Sequence, residues 1–144
     1  ELSIDILNRP DYEERTIAFQ CSDNIADETV MFSFDSKLLT RTFQNLIINA
    51  FVHGGNDTEV TINISVSECR LNITISDNGK GMSTAETDRL FDRYYRGINT
   101  ESKNEGTGLG LSIAKSIIEL HGGTISVTSC PGTGTAFLIC FPVC

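Results

Sequence analysis

The stretch EVTINISVSECRLNITISD, Glu59 to Asp77, decides how the rest of the chain is read. Val60, Ile62, Ile64 and Val66 alternate with polar residues; after a short polar turn at Ser67–Arg70 the alternation resumes at Leu71, Ile73 and Ile75. A period of two sends successive side chains to opposite faces, so both runs read as half-buried strands joined in a β-hairpin. Asp77 keeps the parity of Leu71, Ile73 and Ile75 and should face the same buried side, where a carboxylate needs a partner. Two glycines follow at once in Asn78-Gly79-Lys80-Gly81-Met82, and glycine lets a backbone approach a ligand closely. An Asx-turn, in which Asp77 accepts from its own backbone, accounts for the same residues equally well.

Upstream of the hairpin, Lys37 to about His53 has a helical period, with Leu39, Phe43, Leu46, Ile47 and Ala50 on one face and Arg41, Asn45 and Asn49 opposite. Asp35-Ser36 offers its N-cap, and Gly54-Gly55-Asn56-Asp57 ends it. Before the helix, Thr16–Cys21 (Ile17, Phe19, Cys21) and Thr29–Phe34 (Val30, Phe32, Phe34) alternate as strands do. Residues 1–15, with Pro10 and the acidic Asp11, Glu13 and Glu14, read as a linker remnant.

Downstream, a loop-rich stretch from Asp77 to Glu105 holds one helical piece near Thr84–Phe91. A second helix follows Gly106–Leu111, with Ile113, Ile117 and Leu120 on one side, Leu111, Ala114 and Ile118 beside them, and Gly122-Gly123 as the stop. Thr124–Cys130 and Thr135–Phe141 close the chain as a hairpin around Pro131-Gly132. Strands that come in hairpin pairs with helices between them favour an α+β two-layer sandwich: a mixed, mostly antiparallel sheet with helices on one face.

Composition narrows the function classes. The 144 residues suit one domain, and a net charge of −8 argues against nucleic acid or an anionic membrane as the main partner. Five cysteines without a CxxC pair (Cys21, Cys69, Cys130, Cys140, Cys144), four of them in or beside apolar runs, read as buried free thiols in a reducing compartment. No signal peptide or transmembrane run is visible, and an opening Glu1 marks the chain as an expected piece of a longer protein.

Several residues could carry chemistry. Asn45 and Asn49 sit at i, i+4 in mid-helix, where asparagine has poor propensity. They are either a solvent-facing pair or amide oxygens for a hard cation such as Mg²⁺, with Arg41 placed to orient Asn45. LFDRYYRG (Leu90–Gly97) is either a surface loop with an aromatic anchor or a mobile segment that delivers Arg96 to a phosphate. His53 reads as a helix-end cap or as facing phosphates, and His121 as a helix C-terminal residue. GTGLGL (Gly106–Leu111) opens a helix as phosphate loops do, yet fits neither GxGxxG nor GxxxxGK[ST]. No zinc spacing or nucleophile–base set can be assembled.

Taken in order, NLIINA (Asn45–Ala50), DNGKGM (Asp77–Met82), LFDRYYRG, GTGLGL and GTGT (Gly132–Thr135) resemble the N, G1, F, G2 and G3 boxes of the catalytic ATP-binding domain of bacterial sensor histidine kinases. The resemblance spans Thr16 to Pro142. It implies the Bergerat-type ATP fold shared with type II topoisomerases, mismatch-repair ATPases and the large heat-shock chaperone, with ATP and Mg²⁺ as cofactors. By that resemblance Asp77 hydrogen-bonds the adenine amine, directly and through a water that Thr135 helps hold, with Gly79, Gly81 and Met82 around the base. Asn49 binds Mg²⁺, Asn45 lies beside the phosphates, and Arg96 reaches the γ-phosphate. Gly106, Thr107, Gly108, Leu109, Gly110 and Leu111 form the hinge of a lid, where Gly108 and Gly110 let backbone N–H groups approach the phosphates.

The implied reaction is transfer of the γ-phosphate to a histidine on a separate dimerisation domain, and thence to the aspartate of a response-regulator receiver domain. The implied parent is a homodimeric, membrane-anchored sensor that holds residues 16–144 in the cytoplasm, with residues 1–15 left from the preceding dimerisation domain. Two departures stand out. Val52 occupies a position that is often basic, so His53, Arg96 or Lys103 would have to compensate; and the helical hairpin with its phosphoacceptor histidine is absent. A topoisomerase- or chaperone-type ATPase is the alternative, disfavoured because Asn45 stands where those relatives carry a glutamate base. A non-catalytic nucleotide-binding module and an anti-sigma-factor serine kinase share the fold.

Overall fold

The computed structural model describes residues 15–21, 33–93 and 109–143. All of the expected linker at 1–15 except Arg15, most of the expected strand at 29–34, and Arg96, Lys103, Gly106, Thr107, Gly108 and Cys144 lie outside them. Among the described residues run β1 (Thr16–Cys21), α1 (Ser36–Gly54), β2 (Glu59–Ser67), β3 (Arg70–Asp77), α2 (Thr84–Thr87), α3 (Gly110–Leu120), β4 (Thr124–Cys130) and β5 (Gly134–Pro142). The sheet order is β1-β2-β3-β5-β4, with β1 parallel to β2 and every other pair antiparallel. This is the mixed, mostly antiparallel α+β architecture read from the sequence. Ser33 and Phe34 are not in a strand.

The β2–β3 hairpin turns at Glu68 and Cys69, both with left-handed backbone (φ 49° and 61°), the conformation a two-residue turn needs to match the strand twist. Its apolar positions Val60, Ile62 and Ile75 are buried, while Thr61, Asn63, Ser65, Thr74 and Ser76 take the opposite parity. α1 is capped by Asp35, whose Oδ1 accepts from the N–H groups of Lys37 (2.9 Å) and Leu38 (3.0 Å). Leu39, Leu46, Ile47, Ala50 and Phe51 of α1 meet Phe137, Ile139 and Phe141 of β5 in one core. Thr42 is fully buried among them because its hydroxyl donates back to the Leu38 carbonyl at 2.9 Å. At the far end of α1, Arg15 donates to the Gly55 and Asn56 carbonyls and lays its guanidinium 5.6 Å from the centre of the Phe51 ring.

Three expectations need correction. α3 buries Ala114 and Ile118, with Leu111 and Ile117 packed against the core, whereas Ile113 and Leu120 are exposed: the inward stripe is one step round the helix from the one expected. In β1 only Ile17 packs on the core and Phe19 is 59% exposed, because β1 is an edge strand beyond the main cluster. Among the described residues the cysteines are not a set of buried thiols. Cys21 and Cys130 are exposed free thiols, Cys140 is a half-buried one, and Cys69 is disulfide-bonded. Alternation explains part of this, since Cys130 and Cys140 share the outward parity of Ser126, Thr128 and Leu138. No helix among the described residues is long and apolar enough to cross a membrane.

Candidate functional site

A cleft lies between α1 and the ends of β3 and β5, lined by Asn49, Ala50, His53, Gly54, Asp77, Gly81, Met82 and Thr135. Six of these eight were singled out from sequence. Asn49 and His53 lie one turn apart on α1, so the helical period brings both to the cleft. Asp77 ends β3 and pairs in register with Thr135 of β5.

The Asp77 carboxylate is fixed through one oxygen. Its Oδ1 accepts from the Gly79 N–H at 2.9 Å, which is the Asx-turn, and from the Thr135 N–H at 3.3 Å. Its Oδ2 has no protein partner among the described residues. Burial pushes the carboxyl above its ordinary range, and the Gly79 and Thr135 amides oppose that rise. The turn and the ligand-facing readings are therefore compatible: one oxygen shapes the loop and the other is left for a donor.

The loop after Asp77 is laced in place from three sides. Asn78 exchanges bonds with Glu59, taking its N–H on Oδ1 at 2.8 Å and donating to its carbonyl at 3.3 Å. The Lys80 N–H donates to the Gly54 carbonyl (3.3 Å), and the Lys80 carbonyl accepts from the Gly132 N–H (2.7 Å). Gly81 has φ +65° and packs so closely that a Cβ would run into the Cys130 carbonyl. Gly134, at φ +119°, abuts the Asp77 carbonyl in the same way. Substitution at either glycine is doubly penalised, by conformation and by contact.

Gly79 is buried beside Gly54 and takes part through its N–H. Asn45, half-buried one turn before Asn49, is not among the residues lining the cleft. Leu109, Gly110 and Leu111 form the start of α3, where no side chain caps the helix and no acid stands in the first turn. Phe91, from the aromatic box, packs edge-on against Phe137 with centroids 6.4 Å apart and has the Lys115 ammonium 5.7 Å over its ring. It is thus the aromatic anchor of that segment. His121 does more than end α3: Nδ1 lies 2.7 Å from the Ile117 carbonyl and Nε2 accepts the Asp35 N–H at 3.0 Å, tying the end of α3 to the start of α1.

Sequence reasoning missed Ser129 and the site role of Gly54. Ser129 has the inward parity of Ile125 and Val127, so a polar residue in a core position was the available signal.

Residues 34–144 match the family described as histidine kinase-, DNA gyrase B-, and HSP90-like ATPase. The sensor histidine kinase YvrG of Bacillus subtilis is 41% identical over 115 residues, 80% of this chain and 20% of its own. The sensor protein kinase WalK of Staphylococcus aureus is 35% identical over 140 residues, 95% of this chain and 33% of its own. The chain therefore spans a fifth to a third of the length of these relatives. A mycobacterial sensor histidine kinase structure, MprB, has the same fold, with a TM-score of 0.82 and 23% identity over 99% of this chain and 91% of that one. The chain belongs to the histidine kinase-, DNA gyrase B- and HSP90-like ATPase family, and the relatives it matches within that family are sensor histidine kinases.

Proposed function

We propose that the cleft holds Mg²⁺-ATP, with the base at the Asp77–Thr135 end and the phosphates toward Asn49 and His53, and that the domain presents the γ-phosphate to a histidine of a separate dimerisation domain. The observation that carries this reading is Asp77 Oδ2, a half-buried acceptor without a protein partner among the described residues. It lies in the same cleft as the Asn49 amide. An amine edge supplies the donor that a desolvated carboxylate needs.

Among the described residues no group of three His, Cys, Asp or Glu could hold a metal ion by itself. Asn49 is then one oxygen ligand among phosphate oxygens and waters, a set that suits Mg²⁺. Bound Mg²⁺-ATP supplies the transferable phosphoryl group and neutralises its charge. In this reading Asn45 lies beside the phosphates, Arg96 reaches the γ-phosphate, and Gly106–Leu111 is the hinge of a lid over the nucleotide. The same resemblance supports a homodimeric, membrane-anchored parent with this domain in the cytoplasm and a response-regulator receiver as the final acceptor.

Calorimetry of the 144-residue chain with ATP, with and without Mg²⁺, tests the metal role. Wild type should bind more tightly with Mg²⁺ and Asn49→Ala should lose that difference. Labelling of the longer parent with γ-labelled ATP should fail in the same variant, and full labelling would refute the assignment.

A further inference from the structure

Ser129 lies on β4 outside the cleft's lining, and its hydroxyl meets three groups at once. Its Oγ is 2.8 Å from the Met82 nitrogen, 2.9 Å from the Gly134 carbonyl oxygen and 2.9 Å from the Thr135 Oγ1. A serine hydroxyl has one proton and two lone pairs, and the partners dictate how they are used. The Met82 N–H can only donate, so it takes one lone pair. The Gly134 carbonyl can only accept, so it takes the proton. Thr135 must then donate its own hydroxyl proton to the second lone pair.

The consequence falls on Thr135. With its proton committed to Ser129, its oxygen has only lone pairs to offer, and it lines the cleft in register with Asp77. We infer that Ser129 is a positioning residue that sets the polarity of the base end. It fixes Thr135 as an acceptor in the same end of the cleft as Asp77, so that this end selects a base bearing an amine over one bearing a carbonyl at the same place. By its bond to the Met82 amide, Ser129 also locks the loop that follows Asp77. This rests on the reading that the base sits at the Asp77–Thr135 end.

The probes are ATP and inosine triphosphate, which exchange the amine at the purine 6-position for a carbonyl and with it turn the neighbouring N1 from an acceptor into an N–H donor. Each is titrated into the 144-residue chain by calorimetry. If wild type binds neither, the reading of the cleft fails, and this inference with it. If it binds both equally, the acceptor-only polarity is overturned whatever the variants do.

A preference for ATP of about tenfold or more is expected. In Ser129→Ala the Thr135 hydroxyl is released to rotate and donate. ATP affinity should then fall about tenfold while the ATP-to-inosine ratio falls to about threefold or less, and Ser129→Thr should restore the ratio. A uniform loss with the ratio intact would make Ser129 merely structural and overturn the inference. In the double variant with Thr135→Val, the ratio should be no lower than in Thr135→Val alone, because Ser129 acts through Thr135. A further fall in the double variant would overturn that route.

Discussion

Asp35 and Asp77 use their carboxylates in nearly the same way, to different ends. Each accepts two backbone N–H groups through Oδ1: Asp35 from Lys37 and Leu38, Asp77 from Gly79 and Thr135. Asp35 is exposed at the start of α1, where water serves the rest of its charge and the helix dipole favours it. Asp77 is half-buried in the cleft, where the same two amides only partly offset desolvation. Equal hydrogen bonding in unequal solvent makes one carboxylate a structural cap and leaves the other in need of a ligand.

The strongest way to break this contrast is Asp77→Asn. Asparagine keeps an acceptor for Gly79 and Thr135 but loses the charge, so ATP affinity should fall about 100-fold by calorimetry, while the melting temperature stays level or rises. A large drop in melting temperature with binding retained would reverse the assigned roles. Asp35→Ala should do the opposite. It should cost about 1 kcal/mol of stability and roughly 3 °C in Tm, with ATP affinity unchanged.

The acid range sharpens the contrast further. A carboxyl raised from 3.8 on folding binds protons more tightly in the folded state, so the stability of the wild type falls as pH rises through that interval. Any stability advantage of Asp77→Asn over wild type should therefore be full at neutral pH and vanish below 3.8, as urea midpoints would report. The smallest effect belongs to Glu86, an acid of the Asp35 kind. It accepts from the Ser83 backbone N–H and hydroxyl in a capping box at α2, and both bonds lower its pKa. Its contribution is present above 4.5 and lost as pH falls through the folded value. Glu86→Gln should cost about 0.5 kcal/mol or less, and a larger loss would mean that exposure is a poor guide to the worth of a carboxylate here.

The elements were legible wherever burial repeats at a fixed period. Alternation located both hairpins, the 3.6 period located α1, and strand parity alone put Asp77 on the inward face. What was not legible depends on neighbours distant in sequence. Nothing in Thr16–Cys21 says that β1 lies at an edge, so Phe19 looked half-buried. α3 is apolar over more of its circumference than it buries, so periodicity could not choose between Ile113 and Ala114. The hairpin at Thr124–Pro142 does not reveal which of its strands pairs with β3, and that pairing is what sets Thr135 opposite Asp77. Ser129 went unnoticed because its bond to the Met82 amide joins β4 to a loop 47 residues away in sequence.

The pairing of β3 with β5 also bears on how the chain reaches its native state. The two hairpins close over short loops, whereas the contact between Asp77 and Thr135 joins residues 58 apart. Closing that span costs chain entropy before it returns any contact, which places it among the slow, non-local steps of folding. A chain with only its hairpins made has no base end to the cleft. With nucleotide seated there as proposed, ligand recognises only the completed sheet, and saturating nucleotide should slow unfolding chiefly by holding these two central strands together.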